Sequence, residues 1–355
     1  MRHSRFSVLA PGIVLSAVLL FAANNNHAPV PLTSAPVPAE RLAAFAPLPA
    51  FIDSPEYPYT KARVTLGRML WYEPRLSASQ TISCNTCHAL DKYGVDNQRV
   101  SDGFKGRQGT RNAPTVYNAA GHVAQFWDGR AATVEAQAEG PMMNPVEMAM
   151  NSQARVVETV QSIWEYRDLF RKAFPDQSHP ITFENVAIAI GTFERGLVTP
   201  SRWDRFLKGD RTVLTGQEIA GFNTFYEAGC AACHNGAYLG GSKYEKLGQV
   251  KPWPDTHDPG RFKITGNAAD RNVFKVAGLR NVAMTAPYYH DGSVATLDDA
   301  VRMMGEYQVG KKLQPAQIAS IKVFLQTLTG AIPREYIAVP PLPPSRHDTP
   351  KPITD

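Results

Sequence analysis

The chain has 355 residues, of which 37 are Lys or Arg and 32 are Asp or Glu, giving a formal net charge of +5 at pH 7. This length is typical of about two domains. The basic residues form no run or stripe, so the sequence excludes a nucleic-acid-binding surface.

The first 23 residues have the composition of a secretory leader. Two arginines within the first five residues precede an apolar run from Val8 to Ala23, which is the order of segments in a signal peptide. The residues before Ala22 and Ala23 make a poor cleavage site, and the run is shorter than the about 20 apolar residues of a bilayer span. We therefore expect residues 1–23 to be a signal peptide, which we favour, or an N-terminal anchor.

Residues 24–53 are rich in proline and alanine and predict an extended linker. The folded part should begin near Ser54. Apolar residues then recur at helical spacing over 60–72, and Pro74 should end this helix.

Two copies of the pattern Cys-x-x-Cys-His contain all four cysteines of the chain. In this pattern the thiols bond to the vinyl groups of a haem and the histidine binds its iron. No cysteine remains for a disulfide, a zinc site or a nucleophile. We therefore predict two covalently bound c-type haems, held by Cys84, Cys87 and His88 and by Cys230, Cys233 and His234. Such haems are attached after export in bacteria, which predicts a periplasmic protein.

The two halves of the chain follow one plan of helix, haem motif, long loop and helix. Further helices are predicted after Ser152, over 183–193, from a capping box at Thr215–Glu218, and over 318–328. Irregular loops are predicted over 93–111 and 235–285. The sequence thus predicts a mainly α fold with two cytochrome c-type domains, at 54–200 and 201–335, and a Pro-rich tail at 336–355 that is a strap or disordered.

The number of axial ligands decides what each haem can do. A haem with one protein ligand can bind a substrate, whereas a haem with two strong ligands only passes electrons. The remaining histidines in the folded part are His122, His179, His257 and His290. Met303 and Met304 lie on a predicted helix, where a methionine opposite His234 would raise the potential of that haem. On spacing alone, core packing is the more common role of such methionines.

Longer motifs resemble those of one family. They are Leu66-Gly67, Pro74-Arg75-Leu76-Ser77, Gly109-Thr110-Arg111-Asn112-Ala113-Pro114-Thr115, Phe126-Trp127-Asp128-Gly129-Arg130-Ala131, Gln137-Ala138, Gly140-Pro141, Glu147-Met148, Leu279-Arg280-Asn281-Val282 and Thr285-Ala286-Pro287-Tyr288-Tyr289-His290. On these motifs the chain resembles the bacterial di-haem cytochrome c peroxidases, the group that also contains the MauG maturase of methylamine dehydrogenase. The resemblance runs from Leu66 to Gly330.

The resemblance implies different roles for the two haems. The haem at His88 would be the low-potential site that reacts with peroxide. The haem at His234 would be the high-potential site that receives electrons, with Met304 as its second axial ligand. Trp127 would lie between the haems as an electron relay.

The resemblance also implies a catalytic carboxyl and a metal site. Glu147 would sit above the open face of the first haem, with Gln137 close to it, because peroxide cleavage needs a proton moved from one oxygen to the other. Asn112 and the backbone carbonyls of Thr285 and Pro287 would hold Ca²⁺ between the domains. Oxygen ligands suit this ion.

One position departs from the family pattern. Better-known members carry a histidine in a Ser-x-Gly-His setting that closes the first haem in the oxidised enzyme, whereas this chain has Phe104 after Ser101-Asp102-Gly103. Phenylalanine cannot bind iron, so we expect an open first haem that needs no reductive activation, as in MauG. Candidates to replace the missing ligand are His122, Met148 and Met150.

The leading prediction is an oxidoreductase of the cytochrome-c peroxidase class, which reduces hydrogen peroxide with electrons from a small cytochrome c or a blue copper protein. The alternative is a MauG-like oxidase of a protein partner, which Phe104 favours and Met304 opposes. A non-catalytic electron carrier or redox sensor would not need Glu147, Gln137 or an open haem. Family members are often homodimers, and a retained leader would tether the protein to a membrane.

Overall fold

Helices dominate the computed structural model, which describes Met1 and residues 36–353. The predicted leader lies outside the described residues. The α-helices are α1 (Ala39–Leu42), α2 (Lys61–Trp71), α3 (Cys84–Cys87), α4 (Val134–Met143), α5 (Gln153–Ser162), α6 (Trp164–Ala173), α7 (Phe183–Glu194), α8 (Arg202–Leu207), α9 (Gly216–Ala228), α10 (Phe262–Thr265), α11 (Leu297–Met303) and α12 (Pro315–Gln326). A small antiparallel sheet pairs β1 (Tyr244–Lys246) with β2 (Val273–Lys275). Within 36–353, no helix is long and apolar enough to span a bilayer.

Two apolar cores divide the structure near residue 200. The first core contains side chains from 66–197, mainly on α2, α5, α6 and α7. The second core contains side chains from 203–328, mainly on α8, α9, α11 and α12. Cys84 packs against the first core and Cys230 against the second, so each Cys-x-x-Cys-His motif has a core of its own.

A glycine permits the closest helix crossing in each core. A Cβ at Gly67 of α2 would overlap the carbonyl oxygen of Ala189 in α7, and one at Gly221 of α9 would overlap that of Ser320 in α12. The crossing helices therefore touch through their backbones, closer than side chains at the contact would permit. Each glycine-bearing helix precedes a Cys-x-x-Cys-His motif in the chain, α2 by twelve residues and α9 by one, so these crossings help to fix the position of the motifs.

The predicted helices are present. The last one spans Pro315–Gln326 rather than 318–328, and the one after Ser152 is divided in two. Ser152 caps α5 through a hydrogen bond from Arg155, and Thr215 and Glu218 form the predicted capping box of α9. The periodicity after Ser152 predicted one continuous helix. Ile163 instead adopts an extended backbone and separates α5 from α6, which turns the two helices against each other.

The prediction of an extended linker does not hold for residues 36–53. The ring of Phe45 packs edge-on against Trp203, with centroids 5.7 Å apart. The backbone N–H of Leu48 donates to Asp204 at 2.7 Å. Apolar side chains are interleaved with the prolines of this segment. Burial of these apolar side chains fixes the segment against the second core.

The proline-rich tail is a strap along the first half. Ile337 joins the first core, and Arg75 donates from Nη2 to the carbonyl oxygen of Pro343 at 2.8 Å. Near the end of the strap, the N–H of Ile353 donates to the carbonyl oxygen of Ala78 at 2.8 Å. The tail was predicted to be a strap or disordered, and residues 337–353 form a strap.

Candidate functional site

The first Cys-x-x-Cys-His motif begins as one helical turn. Cys84–Cys87 form α3, which Ser83 and Thr86 cap through reciprocal hydrogen bonds. His88 follows with its Nδ1 3.3 Å from the carbonyl oxygen of Gly94. Burial lowers the pKa of His88, so the imidazole is neutral at pH 7, the form that binds a metal.

The second motif has the same arrangement of hydrogen bonds around its histidine, but its backbone conformation differs. Cys230–Ala232 form a 3₁₀ turn after Gly229, whose φ of 98° ends α9. The Nδ1 of His234 lies 3.3 Å from the carbonyl oxygen of Leu239, and burial lowers the pKa of this histidine as well. A backbone carbonyl thus orients each imidazole. A carbonyl oxygen is a common hydrogen-bond partner for the ring nitrogen of a histidine whose other nitrogen binds a metal.

The chemistry of the motifs fits a haem. All four cysteines are free of disulfides, and burial raises the pKa of Cys87 to about 11 and that of Cys230 to about 12. They are therefore neutral thiols rather than reactive thiolates. The ring centroid of Trp71 lies 6.4 Å from that of His88, and its buried Nε1 has no partner in the described part of the chain. An unpaired buried donor here fits a site that a group outside the polypeptide completes.

The charges that act on the two motifs differ: carboxylates act on the thiols of the first, whereas two lysines and one carboxylate, Glu245, act on those of the second. The pKa of the Cys87 thiol is raised first by burial and further by three carboxylates, one of them Glu147. Burial also raises the pKa of the thiols of the second motif, but Lys311 and Lys243 act in the opposite direction there. Negative surroundings favour the oxidised form of a redox group and positive surroundings favour its reduced form.

The carboxyl group of Glu147 lies beside the first motif and has a raised pKa. Its Oε1 accepts a hydrogen bond from Nδ2 of Asn144 at 2.7 Å. Burial raises the pKa of Glu147, while Arg130 and Asn144 act to lower it. A carboxyl with a raised pKa can both take and return a proton near neutral pH. Gln137 is half-buried on α4, and its side chain makes no hydrogen bond to another residue of 36–353.

Phe104 is packed against the backbone of Glu147. Its N–H donates to the carbonyl oxygen of Glu147 at 2.8 Å, and its side chain is buried in the first core. Two of the candidate replacement ligands, Met148 and Met150, are buried in the same core. His122 instead packs against residues of the second half. The structure thus brings Phe104 and Glu147 together and sets His122 apart from them.

Trp127 connects the two halves. Its Nε1 donates to the carbonyl oxygen of Asn112 at 2.9 Å. Its own carbonyl oxygen accepts a hydrogen bond from the N–H of Lys275 in β2 at 2.8 Å. The indole is thereby fixed at the junction of the halves.

The predicted calcium ligands lie near this junction. The N–H of Asn112 donates to the carbonyl oxygen of His290, and its Nδ2 donates to that of Gln98 at 2.9 Å. The Oδ1 of Asn112 and the carbonyl oxygens of Thr285 and Pro287 accept no hydrogen bond within the described residues. Amide and carbonyl oxygens are ligands that a hard cation prefers.

Met304 begins a π-helical segment, Met304–Val309, that continues α11. The methionine is partly buried against a cluster that contains Trp253 and Tyr289. Beyond this segment, Lys311 donates from Nζ to the carbonyl oxygen of Glu227 at 2.9 Å, close to the second motif. The sequence predicted a helix but not its π geometry, which often marks functional sites.

An ion network at the junction was not predicted. Arg111 bonds to Asp128 at 2.5 Å and to Asp258 at 2.6 Å, so one guanidinium joins the two halves. Arg111 and Asp128 adjoin Asn112 and Trp127 in the chain and lie in the recognised motifs. No local signal marks Asp258.

Fold and site together define a class: a mainly helical protein with two Cys-x-x-Cys-His motifs and a protonatable carboxyl beside one of them. Residues 61–212 match the family model described as di-haem cytochrome c peroxidase. The chain is 47% identical over 289 residues to cytochrome c551 peroxidase of Nitrosomonas europaea, covering 81% of this chain and 85% of that protein. The chain belongs to the di-haem cytochrome c peroxidase family.

Two further comparisons concern the MauG branch of this family. The chain is 35% identical over 269 residues to methylamine utilization protein MauG of Methylorubrum extorquens, covering 75% of this chain and 74% of MauG. Among solved structures, a MauG-like protein associated with microbial copper homeostasis superposes with a TM-score of 0.73 at 29% identity, covering 82% and 97% of the two chains. MauG is thus a more distant relative than the Nitrosomonas peroxidase.

Proposed function

We propose that the chain is a peroxidase that reduces hydrogen peroxide to two waters with two electrons from a periplasmic donor protein. The observation that carries this proposal is Glu147, a carboxyl with a raised pKa beside the first Cys-x-x-Cys-His motif. Membership of the family, with a named peroxidase at 47% identity, supports the substrate.

Glu147 moves the proton in this reaction. As a carboxylate it takes the proton from one oxygen of the peroxide and returns it to the other oxygen, which leaves as water when the O–O bond breaks. Two electrons and two further protons from solvent complete the conversion of H₂O₂ to two waters. Asn144 holds the carboxylate through Oε1, and the amide of Gln137 is available to orient the peroxide.

Each Cys-x-x-Cys-His motif would hold one haem through two thioether bonds and one histidine ligand, His88 or His234. The hydrogen bonds of the two Nδ1 atoms and the unpaired Nε1 of Trp71 support this assignment. When bound, the haems supply the iron atom at which peroxide reacts and the storage of the electrons.

Electrons would enter at the second motif and leave at the first. The lysines at the second motif and the carboxylates at the first support this direction. Met304 would be the second protein ligand of the haem that His234 holds, and a methionine ligand would raise the potential of this receiving haem further. Trp127, hydrogen-bonded to both halves, would serve as the relay.

Catalysis would need no reductive activation, because Phe104 replaces the histidine that closes the first haem in better-known relatives. The hydrogen bond from the N–H of Phe104 to Glu147 supports this proposal, since the loop is held beside the catalytic carboxyl without offering a ligand. Of the three candidate replacement ligands, Met148 and Met150 are buried nearby and would close the site instead, whereas His122 packs in the second half.

A Ca²⁺ ion would join the halves through Asn112, Thr285 and Pro287, whose oxygens lack donors. Its role would be to fix the distance between the haems across the junction, beside the Arg111 network. The oxygen-only ligand set favours calcium over transition metals.

The setting of the reaction is also a proposal. The c-type motifs and the leader-like residues 1–23 support export to the periplasm. The electron donor would be a small cytochrome c or a blue copper protein. We further propose a homodimer, and a membrane tether where the leader is retained.

A MauG-like oxidase of a protein partner is the second candidate, and Phe104 is the observation in its favour. Met304 opposes it, because MauG carries a tyrosine at the corresponding position. The lower identity to MauG, 35% against 47% for the Nitrosomonas peroxidase, also favours the peroxidase.

Steady-state turnover separates these functions. A peroxidase oxidises two molecules of a reduced one-electron donor for every peroxide consumed, and it does so without any further protein. Oxidation of a partner protein by peroxide, with negligible turnover of reduced cytochrome or copper protein, would contradict the proposal.

A further inference from the structure

Lys275 is a cation without a counter-ion at the junction of the two halves. It ends β2, and its Nζ lies 3.1 Å from Nδ1 of His122. No carboxylate of residues 36–353 forms an ion pair with it, and burial lowers its pKa to about 8. The ammonium therefore remains mostly charged at pH 7. A desolvated charge is costly unless an opposite charge compensates it.

The partner of Lys275 is built into the fold. Burial and the charge of Lys275 lower the pKa of His122 well below its usual range, so its neutral Nδ1 accepts the hydrogen bond from the ammonium. The ring packs edge-on against Tyr238, with centroids 5.7 Å apart. A Cβ at Gly241 would overlap the ring, and one at Gly278 would lie 2.8 Å from it. Two glycines thus leave the space that holds the imidazole beside the lysine.

The pair is adjacent to the second motif. Gly241 follows Gly240, where an added Cβ would lie 3.3 Å from Nδ1 of His234. The carbonyl oxygen of Leu239, in the same turn, orients His234. Two residues beyond Lys275 along the chain, the carbonyl of Ala277 also bonds to His234. The uncompensated cation therefore lies one loop away from the ligand of the second haem.

We infer that Lys275, positioned by His122, is the counter-ion of a propionate group of the second haem. A haem carries two carboxylates of its own, and these are the anions that the polypeptide does not supply at this position. The inference rests on the proposed attachment of a haem at Cys230 and Cys233. The ion pair would remove negative charge from the haem edge and so raise the potential of the electron-receiving haem.

The test compares the variants K275Q and K275R with K246Q, which removes an exposed lysine of the paired strand β1. Haem content is measured first, because two covalent haems in K275Q keep the attachment proposal intact whatever follows. Spectroelectrochemical titration should then give a lower midpoint potential for the second haem in K275Q. The potentials of K275R and K246Q should stay close to the wild-type value. An unchanged potential in K275Q would overturn the inference.

A second measurement reports on the propionate directly. It compares the wild type with K275R, which retains the charge, and with the control K246Q. Cells fed 5-aminolevulinate labelled with ¹³C at the carboxyl carbon produce haem with labelled propionates. Redox-difference infrared spectra should show a labelled carboxylate band that moves between wild type and K275R and does not move in K246Q. A band that is identical in all three proteins would exclude contact between Lys275 and a propionate.

Discussion

Glu147 shows what a single residue contributes and how far the sequence predicts it. Its proposed role as the catalytic carboxyl comes from the resemblance of the Glu147-Met148 motif to that of the family. Its raised pKa could not be predicted, because it results from burial against the opposing effects of Arg130 and Asn144. Arg130 lies seventeen positions away in the chain, and only the folded loop brings the two groups together.

Replacement of Glu147 by glutamine should lower kcat about 100- to 10,000-fold, the usual contribution of a positioned acid–base group. The carboxyl must be ionised to take a proton, so wild-type kcat/KM should rise with pH through the raised pKa of Glu147. E147Q should lack this rise. The matched control is E158Q, which alters an exposed carboxyl on α5. Equal pH profiles for E147Q and the wild type would assign the proton transfer to another group.

Replacement of Phe104 by histidine should restore the closing ligand. The first haem of oxidised F104H should become low-spin, and turnover should begin only after a lag that prior one-electron reduction removes. The control F104L keeps an apolar side chain at this buried position and should behave as the wild type. Lag-free turnover by F104H would mean that the loop is too far from the iron to supply a ligand.

At the scale of elements, the helices were predictable because their signals are local. Periodicity and the capping box of Thr215 and Glu218 lie within the segments themselves. The π-helical segment Met304–Val309 and the packing of residues 36–53 depend on contacts with distant parts of the chain, such as Phe45 with Trp203. Composition alone therefore suggested a linker at residues 36–53, where the structure instead shows a segment packed against the second core.

The two glycine crossings predict a stability effect. G67A and G221A should each lower the free energy of unfolding by about 1–3 kcal/mol, because the added Cβ forces the crossing helices apart. G216A is the control, since a Cβ there meets no atom within 4 Å. Chemical denaturation of the haem-loaded proteins measures the difference. Alanine has the higher helix propensity, so G216A should not lose stability. A loss as large in G216A as in G67A would show that the close crossing is not the cause.

The π-helical segment predicts an effect on one haem only. M304L should lower the midpoint potential of the second haem and leave the first unchanged, because a thioether ligand favours the ferrous form. M303L, one position earlier and outside the π-helical segment, should keep both potentials. Spectroelectrochemical titration of the three proteins measures this. A lowered potential in M303L instead would identify that residue as the ligand.

At the scale of the whole molecule, the proposed path of the electrons crosses the junction of the two halves. Two cores near one boundary at residue 200 were predictable from two haem motifs and a repeated plan. The contacts that join the halves were not, because Arg111 and Asp258 are 147 positions apart in the chain. This junction contains Trp127 and the predicted calcium ligands, so the proposed coupling of the haems would depend on the least predictable part of the fold.

The central claim is that the first haem is the peroxide site and is open in the oxidised enzyme. The most direct test records EPR and absorption spectra of the fully oxidised, haem-loaded protein before and after addition of hydrogen peroxide. The account predicts a high-spin signal beside a low-spin signal, with a rapid change when peroxide is added. Two low-spin haems that ignore peroxide until one electron is supplied would contradict it, because another residue would then occupy the position that Phe104 leaves open.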